Sequence, residues 1–172
     1  MIHEGDRPGA GWNIDKMIQI EIAQPDDAEV ISILVGELLD EIMLAVREKV
    51  FEFHQNETVV RARTWMTNGL YTVLLARAAA VPVGFLALYE SYALYTEGVY
   101  GTIPELYVRP AYRSRGIGAS LLAEAKRVGE LRSWRRLEVT TPPLPQFDRT
   151  LAFYERHGFA ISGGRKLKVE LS

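Results

Sequence analysis

One segment of the chain, residues 105–118, constrains the fold more than any other part. It runs from the β-forming residues Leu106, Tyr107 and Val108 into a basic turn, which ends in two glycines where a helical pattern begins. Glycine lets the main chain approach a ligand closely, and the first amides of a helix have no acceptor within the helix. The positive helix end also attracts anions. The segment therefore predicts a strand, a turn and a helix that bind an anionic group such as a pyrophosphate.

The residues of this turn have the spacing Arg-x-x-Gly-x-Gly, which is formed by Arg113, Gly116 and Gly118. Arg113 and Arg115 add positive charge beside the helix end, although Arg113 could instead pair with an acidic surface residue. We expect main-chain amides of the turn to donate hydrogen bonds to the anion. The residues that carry these amides are Ser114, Arg115, Gly116, Ile117, Gly118 and Ala119.

Size and composition exclude several classes of protein. The 172 residues suffice for one domain with a substantial core, and the net charge of −2 gives no electrostatic reason to expect nucleic-acid binding. The chain has no cysteine, and its three histidines lack metal-ligand spacing, so no metal site is expected. Neither a membrane-spanning stretch nor a signal sequence is recognisable. We therefore expect a cytoplasmic protein without a membrane partner.

Hydrophobic patterns predict the element order βααβββαβαβ(β), a mixed sheet covered by helices. Residues 1–16 are polar and glycine-rich, so we expect a flexible extension before one domain that covers residues 17–172. Pro104 removes one donor from its strand, which predicts a bulge or a splayed edge near the middle of that strand. A last pair of strands is expected around Gly163-Gly164.

Two motifs resemble the signature regions of the GNAT superfamily of N-acetyltransferases. The first is residues 105–118, and the second follows about 35 residues later as Phe153-Tyr154-Glu155-Arg156-His157-Gly158-Phe159. A single Gly-x-Gly is weak evidence, but both motifs occur in the family's order and in a strand–helix context. The resemblance extends from about residue 18 to the C-terminus. It implies the GNAT fold, of class α/β (α+β): a mixed, mostly antiparallel, twisted sheet with a central splay, flanked by about four helices.

The resemblance implies acetyl-coenzyme A as the acetyl donor. The main chain of Leu106, Tyr107 and Val108 would then meet the pantetheine arm as a pseudo-strand where the sheet opens. Many family members carry an asparagine shortly before the last helix, whereas this chain has Phe147 at that place. Gln146 or Asp148 could replace the asparagine, although Asp148 is better interpreted as a helix N-cap.

Acetyl transfer requires that the amine lose a proton, and a proton donor assists the departing thiolate. Tyr154 stands where family members commonly place a general acid; alternatively, it only packs with Phe153 and Phe159. Glu105 is our first candidate for the general base, and Glu138 on the next strand is the second. A bound amine that arrives neutral would need no base.

We therefore expect an N-acetyltransferase that acts on a primary amine of a small molecule, amino acid or peptide. The chain has no cysteine to carry an acetyl group, which favours direct attack in a ternary complex. One alternative is a non-catalytic module that senses acetyl-coenzyme A. Another is an acetyltransferase for aminoacyl-tRNA, which the acidic charge balance disfavours. Family resemblance also allows a homodimer.

Acceptor specificity is expected in the first two helices and in residues 89–102. In that region four tyrosines alternate with two glutamates. These side chains could line a pocket for a cationic amine, or they could form the half-buried side of a long hairpin.

Overall fold

The structure, a computed structural model, describes residues 18–96, 98–163 and 166–171. The extension predicted for residues 1–16 lies outside them, as do Glu97 and Gly164. After Thr140 the chain divides into two compact units, named here the N-terminal unit and the C-terminal unit.

Six strands and three helices make up the described part of the N-terminal unit. The strands are β1 (Ile18–Ile22), β2 (Thr72–Ala78), β3 (Val81–Ala93), β4 (Gly98–Ile103), β5 (Leu106–Val108) and β6 (Leu137–Val139). The helices are α1 (Ala28–Val46), α2 (Gln55–Thr67) and α3 (Ile117–Leu131).

The strands form one sheet in the order β1-β2-β3-β4-β6, with β5 also paired to β3. All pairs are antiparallel except β4 with β6, which is parallel. This topology confirms the predicted class, a mixed and mostly antiparallel sheet. The turn between β2 and β3 lies at Ala79 and Ala80, both of which have positive φ as tight hairpin turns require.

The sheet is interrupted at Pro104, as predicted. Tyr89 of β3 pairs with Thr102 of β4, and Leu86 of β3 pairs with Leu106 of β5. Between these pairs β3 contributes two residues, 87–88, and the partner contributes three, 103–105. The extra residue makes a β-bulge. Because β6 pairs with β4, the edge of β5 away from β3 has no strand beside it within the described N-terminal unit.

Helices cover both faces of the sheet. One face packs under α1 and α2, where Val73, Phe85 and Tyr107 belong to a buried cluster with Leu34 of α1. Side chains alternate along a strand, so Leu86 points to the opposite face, against which α3 packs its apolar side.

The C-terminal unit contains one helix, α4 (Asp148–Arg156), in its described part. The prediction of a last pair of strands is wrong for residues 159–163 and 166–171, which form no strand. Leu167, Val169 and Leu171 alternate as in a strand, yet all three are exposed. Alternation alone is insufficient, because an isolated strand leaves its hydrogen-bonding groups unpaired.

Helix α1 offers a direct test of the core. Leu34 is fully buried, whereas Leu44 on the same helix is 80% exposed. Leu34→Ala should lower the free energy of unfolding by about 2–5 kcal/mol, because it leaves a cavity. Leu44→Ala should change it by no more than about 0.5 kcal/mol. Urea denaturation followed by circular dichroism measures both, and equal losses would contradict this packing.

Candidate active site

The turn before α3 presents free amides at the helix start. Ser114 and Gly116 have positive φ values of 61° and 79°, and Gly116 is the N-cap residue of the helix. The amide of Ser120 donates to the Gly116 carbonyl at 2.9 Å. The amides of residues 117–119 precede it and have no acceptor within the helix. Together with the helix dipole, they can bind an anion.

Space is available in front of this turn. A Cβ atom built on Gly116 would meet no heavy atom within 4 Å. The glycine is therefore required by its positive φ and not by crowding, and the surface beside it is open to a ligand.

The arginine side chains of the motif have partners within the protein. Arg113 pairs with Glu41 at 2.5 Å and donates from Nε to the Val108 carbonyl at 2.7 Å. The Arg115 guanidinium lies 5.8 Å from the centre of the Tyr112 ring. In this structure Arg113 thus makes the alternative contact, an ion pair with an acidic residue. A phosphate contact by either arginine stays a prediction.

Strand β5 has one free edge. The Ala87 amide donates to the Glu105 carbonyl at 3.0 Å, and the Arg109 amide donates to the Val83 carbonyl at 2.9 Å. Main-chain groups alternate in direction along an antiparallel pair. Those of Tyr107 accordingly face β3, and those of Leu106 and Val108 (residues 106 and 108) face the free edge. The Leu106 groups and the Val108 amide are suited to pair with an extended ligand, while the Val108 carbonyl already accepts from Arg113.

Glu105 lies within the bulge, and its carboxyl is held by Tyr71. The Tyr71 hydroxyl donates a hydrogen bond to Oε2 of Glu105. Burial raises the pKa of Glu105, and the Tyr71 hydrogen bond partly opposes this shift. Burial and the adjacent carboxyl also raise the pKa of Tyr71, so the phenol remains the proton donor. A carboxyl with a raised pKa is suited to accept a proton near neutral pH.

Tyr71, the partner of this carboxyl, belongs to a cluster of three aromatic rings. The Tyr71 ring lies 5.4 Å from Trp65 of α2 and 6.2 Å from Tyr89 of β3, measured between ring centres. The planes of Tyr71 and Tyr89 are nearly parallel, with an angle of 8°. Trp65 and Tyr89 are 39% and 37% exposed, so solvent reaches the cluster. Sequence reasoning missed Tyr71, because nothing in its local pattern points to a carboxyl 34 residues away.

Most of the aromatic region at residues 89–102 does not form the predicted cationic-amine pocket. Glu90 accepts a hydrogen bond from Trp134 at 3.1 Å, and Arg136 lies 4.5 Å from the centre of the Tyr100 ring. The protein's own side chains thus occupy these groups, as in the hairpin alternative. Among the described tyrosines of the region, only Tyr89 stacks on Tyr71, the partner of Glu105.

The second candidate base has a cationic partner. Arg136 donates from Nε to Glu138 at 2.6 Å. An ion-paired carboxylate is less available to a substrate proton than Glu105, whose hydrogen-bond partner is a phenol. The geometry therefore favours Glu105 over Glu138.

Tyr154 lies in α4 of the C-terminal unit. Its ring contacts Phe153 and Phe159 edge to face, with centres 5.3 and 5.4 Å apart. Burial raises the pKa of Tyr154, so the phenol keeps its proton at neutral pH. The ring of Tyr154 therefore packs with Phe153 and Phe159, as the alternative interpretation expected. Its hydroxyl carries the proton that a general acid needs. The acid role itself stays a prediction.

The start of α4 differs from the expectation. Phe147 occupies the N-cap position, and Asp148 is the first helical residue. The interpretation of Asp148 as the N-cap is therefore wrong. An acidic side chain in the first turn still interacts favourably with the helix dipole.

The described ranges 18–96, 98–163 and 166–171 contain neither a cluster of metal ligands nor a membrane-spanning helix. No group of three or more His, Cys, Asp or Glu side chains there could hold a metal ion. Within the same ranges, no helix has the length and apolar character needed to cross a bilayer.

Comparison with known proteins identifies the kind of domain. The family model of the acetyltransferase (GNAT) domain matches residues 69–161. No curated protein matches the sequence.

Solved structures share the fold at low sequence identity. An aminoglycoside acetyltransferase from an uncultured soil metagenomic sample superimposes with a TM-score of 0.74 at 20% identity, covering 93% of this chain and 100% of that one. A ribosomal-protein-alanine N-acetyltransferase from Brucella melitensis gives 0.67 at 22% identity, with 89% and 99% covered. A predicted acetyltransferase from Clostridium acetobutylicum with acetyl-CoA gives 0.72 at 17% identity, with 90% and 96% covered. These similarities confirm the fold that the two motifs implied.

The raised pKa of Glu105 predicts a pH-dependent stability difference. As pH rises above the ordinary glutamate pKa, the unfolded chain releases its proton first, so ionisation progressively destabilises the folded state. Glu105→Gln removes this loss and retains an acceptor for Tyr71. The variant should therefore gain free energy of unfolding relative to wild type between pH 4 and pH 7.5, as measured by urea denaturation.

Glu138→Gln is the matched control, because Glu138 is 44% exposed and ion-paired. It should show no such gain between the two pH values. A stability difference for Glu105→Gln that is equal at both pH values would contradict the burial of its carboxyl.

Proposed function

Because this chain belongs to the acetyltransferase (GNAT) domain family, we propose that it is an acetyl-CoA-dependent N-acetyltransferase. Its acceptor is a primary amine of a small molecule, amino acid or peptide, which attacks the thioester directly in a ternary complex. One observation carries the proposal. Glu105, a partly buried carboxyl with no cationic partner among the described residues, directly precedes the strand whose free edge can pair with an extended ligand.

The donor site is proposed from two features of the fold. The pyrophosphate accepts hydrogen bonds from amides of residues 114–119, and the pantetheine arm pairs with the main chain of Leu106 and Val108. The open space beside Gly116 fits this assignment. Acetyl-CoA accompanies the similar Clostridium acetobutylicum protein, which supports the same donor here. When bound, acetyl-CoA supplies an activated acetyl group and a thiolate leaving group.

Glu105 and Tyr154 each carry out one of the two proton transfers. Glu105 accepts the proton that the acceptor amine loses, either directly or through a water molecule. The amine nitrogen forms a bond to the acetyl carbon, and the carbon–sulfur bond breaks. Tyr154 donates its phenolic proton to the departing sulfur and regains a proton from solvent. The raised pKa of Glu105 suits a proton acceptor, and the Tyr154 phenol carries its proton at neutral pH.

An amine acceptor is supported by two structural relatives. One acts on aminoglycosides and another on ribosomal-protein alanine, according to their names. An assay panel should therefore contain an aminoglycoside, a peptide with N-terminal alanine and simple alkylamines. Thiol release from acetyl-CoA with any of these amines tests the proposed activity.

Gly116→Trp tests the donor site. The indole would fill the open space before the free amides and would also strain the positive φ. We expect the affinity for acetyl-CoA in isothermal titration calorimetry to fall at least about tenfold, equivalent to about 1.4 kcal/mol. Gly69→Trp is the matched control, since Gly69 has a φ of 66° and similar open space. Unchanged binding by Gly116→Trp would contradict the assignment.

Tyr154→Phe tests the general acid. The variant keeps the ring contacts with Phe153 and Phe159 but has no proton to donate. We expect kcat to fall by about 10²–10⁴-fold with little change in the KM for acetyl-CoA. Tyr92→Phe is the control, because Tyr92 is 73% exposed. Full activity of Tyr154→Phe with a good acceptor would show that the acid assignment is wrong. Binding of acetyl-CoA without turnover of any amine would favour a sensing module.

A further inference from the structure

The carboxyl of Glu105 has no counter-ion in the part of the chain that the structure describes. Elsewhere in the N-terminal unit, a partly buried carboxylate such as Glu37 pairs with a guanidinium, that of Arg109, at 2.8 Å. Glu105 has the Tyr71 hydroxyl as its partner, and no cationic side chain of the described residues contributes to its pKa. A charge in such a place is costly unless a cation reaches it. The arrangement therefore suits a cation that comes from outside the protein.

The surrounding rings are also suited to a cation. Thr72 pairs with Leu88 at the start of β2, and the Tyr71 ring just before this pair stacks on the Tyr89 ring, on the sheet face to which Glu105 points. Aromatic faces attract cations within about 6 Å. Trp65 already has the Arg61 guanidinium of the same helix at 6.0 Å from its ring centre.

We propose that Trp65, Tyr71, Tyr89 and Glu105 form the acceptor subsite and select a cationic alkyl primary amine over a zwitterionic amino acid. The proposal rests on the proposed acetyltransferase function. The ammonium group pairs with Oε1 of Glu105, which bonds to none of the described residues, and the carbon stem lies against the exposed rings of Trp65 and Tyr89. An α-carboxylate on the acceptor would place like charges together, which is unfavourable.

Tyr71 is a positioning residue in this subsite. Its hydroxyl occupies Oε2 of Glu105, which orients the carboxyl and leaves Oε1 for the substrate. Among the described residues, the titratable side chain bonded to Glu105 is Tyr71. Tyr89 of β3 stacks on Tyr71, and α2 contributes Trp65, with the Arg61 guanidinium beside its ring. The proton that Oε1 accepts from the ammonium is released to solvent after transfer.

A pair of acceptors that differ by one group tests the selectivity. Isoamylamine and leucine share the same carbon stem, and only leucine carries an α-carboxylate. We expect kcat/KM for isoamylamine to exceed that for leucine at least tenfold in a thiol-release assay. Equal values, or a preference for leucine, would overturn the proposed acceptor class while leaving the acetyltransferase function intact. Failure to acetylate any amine would overturn the acetyltransferase function. The titration of the Glu105 carboxyl described next would then test the acceptor subsite independently of turnover.

Binding can be followed without turnover through the Glu105 carboxyl itself. In protein labelled with carboxyl-¹³C glutamate, the Glu105 resonance is the one that Glu105→Gln removes. Saturating isoamylamine at constant ionic strength should lower the titration midpoint of this resonance, because the ammonium stabilises the anion. An unchanged midpoint would overturn the subsite.

A matched pair of tyrosine variants tests the positioning role of Tyr71. Tyr71→Phe removes the hydrogen bond to Glu105, so the carboxyl midpoint should rise, and the acidic limb of the kcat/KM profile should move to higher pH with it. Tyr92→Phe removes a comparable Tyr–Glu bond of 2.7 Å on the exposed hairpin and should change neither quantity. A Tyr71→Phe midpoint equal to that of wild type would refute the role.

Discussion

The break in the sheet at Pro104 is the constraint on which the rest of the structure depends. Proline has no amide hydrogen, so the ladder between β3 and its neighbour cannot continue regularly through this position. Pairing passes from β4 to β5 with one extra residue. As a consequence, Glu105 points to the α1/α2 face beside Tyr71, and β5 keeps a free edge next to the turn that opens α3.

The site combines strands and a helix that ion pairs hold together with a carboxyl that burial destabilises. Arg109 ties α1 to β5 through Glu37 and also donates to the Pro82 carbonyl at 2.9 Å. Such charge-assisted hydrogen bonds hold α1 and β3 in place beside β5. Glu105, by contrast, is held by one phenol and has its pKa raised by burial. Carboxyls of this kind lower stability and supply reactivity, a common relation in active sites.

The sequence predicted those features that depend on neighbouring residues. The glycine turn before α3 and the bulge at Pro104 follow from main-chain geometry, which a few adjacent residues decide. The hairpin turn at Ala79 and Ala80 has no such local signal, because alanine does not indicate positive φ. The pair of strands expected around Gly163-Gly164 does not form in residues 159–163 and 166–171, since a strand also requires a partner.

The sequence by itself determined the family and the glycine turn before α3, and it indicated Glu105 as a candidate residue. Each of these depends on a short continuous motif. Only the tertiary structure decided what surrounds that carboxyl. Tyr71 comes to Glu105 through the register of β2 with β3 and of β3 with β5, across 34 positions of the chain. Contacts of this kind result from strand pairing between distant segments, and no local spacing of residues encodes them.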